Sequence, residues 1–240
     1  MKTNYSLTAT ICSLLLAFLL WGCGGGGAGS PGSTGSQDTG VILDATITPF
    51  YQSTSACTNV NGLITCNATY SVDVVQDQCP SATGTTFPEY FADHEALVTI
   101  NASLINQNAT IQPATLTVEY FTIQYISSAD SIGAPPVELD TVYQTIVITP
   151  PTPAALVTPT PTLPVPPTVT QAEVVFFDLL RKQQYLSAVG GPFSTHLVNN
   201  YTAIYTFFGK NDHGDNFTFT AQTNFQVGDF NYCGITTPPL

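Results

Sequence analysis

Ala114-Thr115-Leu116-Thr117-Val118-Glu119-Tyr120-Phe121-Thr122-Ile123-Gln124-Tyr125-Ile126 is the stretch whose reading decides the fold class. Leu116, Val118 and Tyr120 alternate with Thr115, Thr117 and Glu119, the period of two that gives an extended strand one buried face. Similar segments lie on both sides of it. Upstream are Val41 to Tyr51, Tyr70 to Val75 and Ala96 to Leu104; downstream are Val137 to Thr149, Asn200 to Phe208 and Asn216 to Val227. Ala172 to Lys182 is read as a further strand, although Val174, Val175, Phe177 and Leu179-Leu180-Arg181-Lys182 also suit a short helix. Cys79 to Pro88 and Asp130 to Pro136 carry the Gly, Pro and Ser content of loops. The expected fold is an all-β sandwich.

Composition agrees with that class. Charged residues are 8% of the chain, aromatics 11%, and Thr, Asn, Gln and Ser are abundant, the profile of a β-rich extracellular protein. The formal charge is −12. A surface so acidic repels phosphate backbones, which argues against nucleic acid as a partner.

Pro150 to Thr168 holds eight prolines and reads as an extended excursion. An interdomain linker is the alternative. The excursion is preferred because three strands beyond it are too few to close two layers alone. The expected organisation from residue 41 onward is one sandwich domain, 41–240, with its Pro-rich excursion at 150–168.

The N-terminus carries the signal. Lys2 precedes the apolar run Ser13-Leu14-Leu15-Leu16-Ala17-Phe18-Leu19-Leu20, which is short for a bilayer span and ends in Trp21-Gly22-Cys23-Gly24. This stretch resembles the lipobox of bacterial lipoproteins. The resemblance implies a signal peptide at residues 1–22 cut before Cys23, lipidation of Cys23 at the head of a Gly/Ser tether over 23–40, and a membrane partner reached through that anchor. Gly24 stands where an Asp would imply retention at the inner membrane, so the resemblance implies an outer-membrane location in a two-membrane bacterium. The tract to Gly40 reads as a flexible tether reaching roughly 20 to 25 Å.

With Cys12 removed in the signal and Cys23 lipidated, Cys57, Cys66, Cys79 and Cys233 remain, an even number that suggests two disulfides in an exported chain. Asn61-Gly62 is a strong two-residue hairpin signal, and a hairpin closed there sets Cys57 opposite Cys66. That pair falls at a non-hydrogen-bonded position, with Cα atoms about 4.5 Å apart, within reach of a disulfide. By remainder Cys79 pairs with Cys233, closing a loop for which the chain-entropy model gives roughly 5 kcal/mol.

A looser pattern covers the latter half: Tyr120 and Tyr125, Lys182 with Tyr185-Leu186, Tyr201 to Gly209, and Val227-Gly228-Asp229-Phe230. It resembles bacterial lipoproteins of uncharacterised activity with an immunoglobulin-like sandwich. That resemblance implies one immunoglobulin-like domain, with the disulfide hairpin as an insertion, and implies no chemistry.

Two clusters are candidate sites. Asn211-Asp212-His213-Gly214-Asp215-Asn216 offers oxygen ligands to a hard cation, but its spacing departs from calcium-loop patterns and it reads as a hairpin turn. Glu89-Tyr90-Phe91-Ala92-Asp93-His94-Glu95 gathers three acids and a histidine, without the spacing of a zinc-hydrolase helix, and reads as a solvated loop leading into a strand. His196 and His213 read as surface residues. Nucleophile elbows, phosphate-binding glycine loops and haem-attachment motifs do not occur in the sequence. These readings assign no catalytic residue, no metal and no cofactor. They favour a structural, adhesive or assembly lipoprotein of the cell envelope with an envelope protein as partner, ahead of a small-ligand, sugar or calcium binder.

Overall fold

The computed structural model describes residues 39–51, 57–81, 84–157, 164–195 and 197–233. Cys23, the tether before Thr39, residues 158–163 of the proline excursion and His196 lie outside the described residues. The fold is all-β and sandwich-like. One layer is a three-stranded antiparallel sheet of β1 (Val41–Tyr51), β7 (His94–Leu104) and β11 (Thr168–Phe177), with β7 central. The other is a six-stranded sheet. Its centre is β8 (Leu116–Ser127), β12 (Asn199–Asn211) and β13 (Asn216–Gly228), all antiparallel.

Alternation explains both layers. Val41, Leu43, Ala45 and Ile47 on β1 and Ala96, Val98, Ile100 and Ala102 on β7 point into one core. Tyr201, Ala203, Tyr205 and Phe207 on β12 and Phe217, Phe219, Ala221 and Phe225 on β13 face them from the other sheet. The intervening positions, largely Thr, Asn and Gln, face outward. Tyr125 joins the layers directly: its hydroxyl donates to the Phe176 carbonyl at 2.5 Å.

The deciding strand departs from simple alternation at one point. Phe208 pairs with Tyr120 but Gly209 pairs with Val118, so Glu119 is the extra residue of a β-bulge. The bulge shifts the phase of β8 by one. Tyr120, expected inward with Leu116 and Val118, lies outside and stacks on Phe208 at 4.8 Å, while Phe121, Ile123 and Tyr125 take the core positions. Gly209 is required there, because a Cβ would lie 2.2 Å from the Thr117 carbonyl oxygen and 2.6 Å from the Phe217 ring.

Other boundaries differ from the expectation. Val137 to Thr149 is two short strands on the same edge of β8, β9 (Asp140–Val142) and β10 (Ile146–Ile148). The loop from Cys79 contains a small ladder of β5 (Gln78–Pro80) with β6 (Thr86–Pro88). Tyr70 to Val75 does not extend the cysteine hairpin; β4 (Ser71–Asp73) crosses to the six-stranded sheet and pairs parallel with β13. Ala172 to Lys182 divides between the two readings. β11 ends at Phe177 and helix α1 (Leu179–Ala188) begins, with the Asp178 carboxylate capping the Arg181 N–H at 2.7 Å.

The hairpin forms as its turn requires. β2 (Cys57–Val60) and β3 (Leu63–Cys66) pair Cys57 with Cys66, joined by a disulfide with Cα atoms 4.0 Å apart. Asn61 and Gly62 take the positive φ values, 55° and 83°, of a tight primed turn. Gln171 holds the hairpin to β11 by acting as a short strand: its side-chain amide accepts from the Ile64 N–H at 2.6 Å and donates to the Ile64 carbonyl at 2.8 Å. Beneath it Phe50 and Leu97 pack with Cys57, Ile64 and Cys66.

The strands beside the prolines stay together. The Thr168 hydroxyl donates to the Thr149 carbonyl at 2.5 Å, which brings the two ends of the excursion into contact. Strands from before and after it pair within both layers, β7 with β11 and β8 with β12.

Candidate functional site

The segment Glu89 to Glu95 is not a solvated loop. Glu89 is 2% exposed and His94 is 0% exposed, and beside them Asp73 and Lys182 are also 0% exposed. Four ionisable side chains therefore lie sealed at one end of the sandwich. Six pieces of chain deliver the cluster: β1 brings Tyr51, β4 brings Asp73, the segment between β6 and β7 brings Glu89, β7 brings His94, α1 brings Lys182, and the segment after β13 brings Tyr232.

Each group is fixed by specific bonds. Asp73 Oδ1 accepts from the Val75 and Phe230 N–H groups, both at 3.1 Å, and Asp73 Oδ2 has no partner. Burial of that unpaired oxygen pushes the Asp73 carboxyl up to about 7, against the lowering effect of its two N–H partners. Glu89 accepts from the Asp77 N–H at 3.3 Å and from the Tyr232 N–H. His94 Nε2 lies 2.9 Å from the Thr69 carbonyl, so Nε2 carries the hydrogen and Nδ1 is left without a partner. Burial drives His94 down to about 3, which keeps the ring neutral.

Lys182 is held as tightly. Its ammonium donates to the Ala92 carbonyl at 2.6 Å and sits 4.4 Å from the Phe91 ring and 5.3 Å from the Tyr51 ring. Burial lowers it to about 8, with the charge of Asp73 the leading opposing influence. Tyr51 stacks on Tyr232 at 4.6 Å, donates to the Tyr90 carbonyl at 2.5 Å and accepts from the Ala92 N–H at 3.1 Å. Burial raises its hydroxyl to about 12.

The second disulfide closes this end. Cys79 joins Cys233, 154 residues away, with Cα atoms 5.3 Å apart. Among the described residues, one set of three potential metal ligands lies close together, Cys79, Glu89 and Cys233. Both of its sulfurs are already consumed in the disulfide. Sealed from solvent and bonded largely to backbone, the cluster is built to hold chain segments: Asp73, Glu89 and the disulfide together fasten residues 230–233 against β4 and the segment before β7.

Asp73, Tyr51 and Tyr232 are not candidate-site residues in the sequence reading, and Lys182 enters it only as part of a structural pattern, although signals for some are present. Asp73 interrupts the apolar run around Val72, Val74 and Val75, and His94 falls in phase with Ala96, Val98 and Ile100 on β7. An ionisable residue in phase with a buried face is a buried ionisable residue.

The Asn211 to Asn216 segment is the hairpin turn between β12 and β13. Asn211 Oδ1 accepts from the His213 and Asp215 N–H groups, Asp215 Oδ2 accepts from the Asn211 amide at 3.0 Å, and Asp212 Oδ2 accepts from the Thr115 N–H at 3.2 Å. One oxygen of each of these three side chains thus accepts from the chain itself, and His213 is exposed.

A third feature lies on the outer face of the six-stranded sheet. At the end where β12 begins and β13 ends, a cleft of about 390 Å³ is floored by Asn200, Thr202, Asn224 and Gln226 and walled by Tyr70 and Ser128. No protein-family model and no curated protein matches this chain. Among the described residues no helix is long and apolar enough to cross a membrane.

Proposed function

We propose that the protein is a cell-envelope lipoprotein, anchored through Cys23 and acting as a structural, adhesive or assembly module, with the outer membrane as its location. The observation that carries the reading is the apolar run Ser13 to Leu20 leading into Gly22-Cys23, followed by a tether rich in Gly and Ser. Two disulfides support export, since such bonds persist in oxidising compartments. The sealed cluster supports a structural role, because its ionisable groups are shut away from solvent and the hydrogen bonds they make run largely to backbone. Metabolic labelling tests the anchor. Radiolabelled palmitate enters the wild-type chain and not Cys23→Ala, and equal labelling of both would refute lipidation.

A small-ligand, sugar or calcium binder is the second reading. Its calcium form has little support, because Asn211 Oδ1, Asp212 Oδ2 and Asp215 Oδ2 already accept hydrogen bonds from the chain. Its sugar form draws on the outer cleft.

A further inference from the structure

We infer that the cleft floored by Asn200, Thr202, Asn224 and Gln226 is a binding site for a neutral oligosaccharide. The argument begins with charge. In a chain of net charge −12, no side chain lining this cleft is charged. The neutrality extends beyond it. Outward positions Asn200 to Phe208 of β12 and Thr218 to Gln226 of β13 are uncharged, and the register places Thr141, Thr122, Thr206 and Thr220 in one rank across β9, β8, β12 and β13. A ligand with a formal charge finds no counter-charge here, whereas a polyol finds hydroxyl and amide partners throughout.

The floor is also organised in advance. Asn200 and Gln226 are cross-strand partners, and the Gln226 amide donates to Asn200 Oδ1 at 2.9 Å. Thr202 and Asn224 are the next pair, and the Thr202 hydroxyl donates to Asn224 Oδ1 at 2.8 Å. Each bond uses one end of an amide at the cleft floor and makes no use of the other: the N–H donors of Asn200 and Asn224 and the oxygen of Gln226 remain to meet a ligand. Side chains already locked in one rotamer lose little entropy on binding. The donor-rich pattern matches the acceptor lone pairs of sugar hydroxyl and ring oxygens.

The walls supply the remaining element. The Gln226 N–H donates to the Tyr70 carbonyl at 2.8 Å, which sets Tyr70 at the rim with 48% of its surface exposed. An amphipathic ring standing beside polar groups offers a flat apolar surface to the C–H face of a pyranose. Opposite, the Ser128 N–H donates to the Asn200 carbonyl and the Ser131 hydroxyl accepts from the Asn200 N–H, so the second wall is pinned to the floor. The volume of about 390 Å³ lies within the range of small-ligand sites.

This inference gives the sugar form of the second reading a place and a ligand class. It requires the sandwich but not the lipid, so palmitate labelling and sugar titration fail independently. The experiment is saturation-transfer difference NMR on the full exported chain with maltotriose, cellotriose, mannotriose and tri-N-acetylchitotriose, alongside the anionic trigalacturonate. Saturable transfer to at least one neutral trisaccharide is expected, with affinity at least tenfold weaker in Asn224→Ala and in Tyr70→Ala at unchanged melting temperature. Binding of none of the neutral trisaccharides, equal binding of trigalacturonate, or unaltered affinity in both folded variants would overturn it.

Discussion

Two regions of this molecule invert the usual distribution of polar groups. At the end closed by Cys79 and Cys233, Asp73, Glu89, His94 and Lys182 are inside, each 2% exposed or less. On the outer face of the six-stranded sheet the exposed side chains of β13 from Thr218 to Gln226 are uncharged. The difference teaches what each region does. Burying an ionisable group costs several kcal/mol unless its bonds are satisfied, so a cluster of them persists where it fastens segments that would otherwise separate. Neutral amides and hydroxyls on a surface are cheap to hydrate and to re-pair, so they suit contact. One region locks the fold and the other meets the outside.

The largest expected effect comes from breaking the lock. Replacing Cys79 and Cys233 together by Ser releases a loop of 154 residues and is expected to cost about 5 kcal/mol, read as a lowered urea midpoint. Because residues 230–232 are then held only by their bonds to Asp73, Glu89 and Ser71 and by the stacking of Tyr232 on Tyr51, hydrogen exchange at Phe230 and Tyr232 should rise first. A loss below about 1 kcal/mol would mean that the buried cluster holds this end without the bridge.

A smaller effect separates the members of the cluster by pH. Asp73 is raised to about 7, so between about pH 4 and 7 the native state holds a proton that the unfolded chain has lost; this stability is present at low pH and lost as pH rises through 7. His94 is lowered to about 3, so between pH 3 and about 6.5 the unfolded chain holds the extra proton and stability falls on acidification. The two oppose each other over about pH 4 to 6.5, so their contributions largely cancel in the wild type there. Asp73→Asn removes the most strongly raised carboxyl that opposes His94, leaving the smaller opposing influence of Glu95 and Asp229, and stability should fall on acidification by up to about 1.4 kcal/mol per pH unit. His94→Gln should show the reverse slope. Denaturant titrations at four pH values decide it, and parallel profiles for all three proteins would contradict the assignment.

Legibility in the sequence followed the same division. Wherever alternation was clean, as along β1, β12 and β13, strand and face were readable from period two alone, and Asn61-Gly62 was sufficient to set the register that joins Cys57 to Cys66. Tyr120 was misplaced because a bulge leaves no compositional mark; Glu119 is extra only by virtue of the pairing of Gly209 with Val118. The sealed cluster was missed for a different reason. Glu89 to Glu95 has loop composition, and its burial depends on Lys182 and Tyr232, which are distant in sequence and brought there by tertiary packing. Asn200, Thr202, Asn224 and Gln226 read as ordinary outward positions until the register set them beside one another under Tyr70.

The contrast between a lock and a contact surface rests on Lys182 being out of reach, and amine labelling measures that directly. The chain downstream of Cys23 has two lysines: Lys182, buried and lowered to about 8, and Lys210, whose side chain is 49% exposed beside Glu119. At pH 8.5 a folded sample treated with acetic anhydride and mapped by mass spectrometry should carry acetyl groups on Lys210 while Lys182 remains unmodified until denaturant is added. Faster acetylation of Lys182 than of Lys210 in the native protein would show an accessible, partly neutral amine at that end of the sandwich, and the cluster would then be a reactive site instead of a lock.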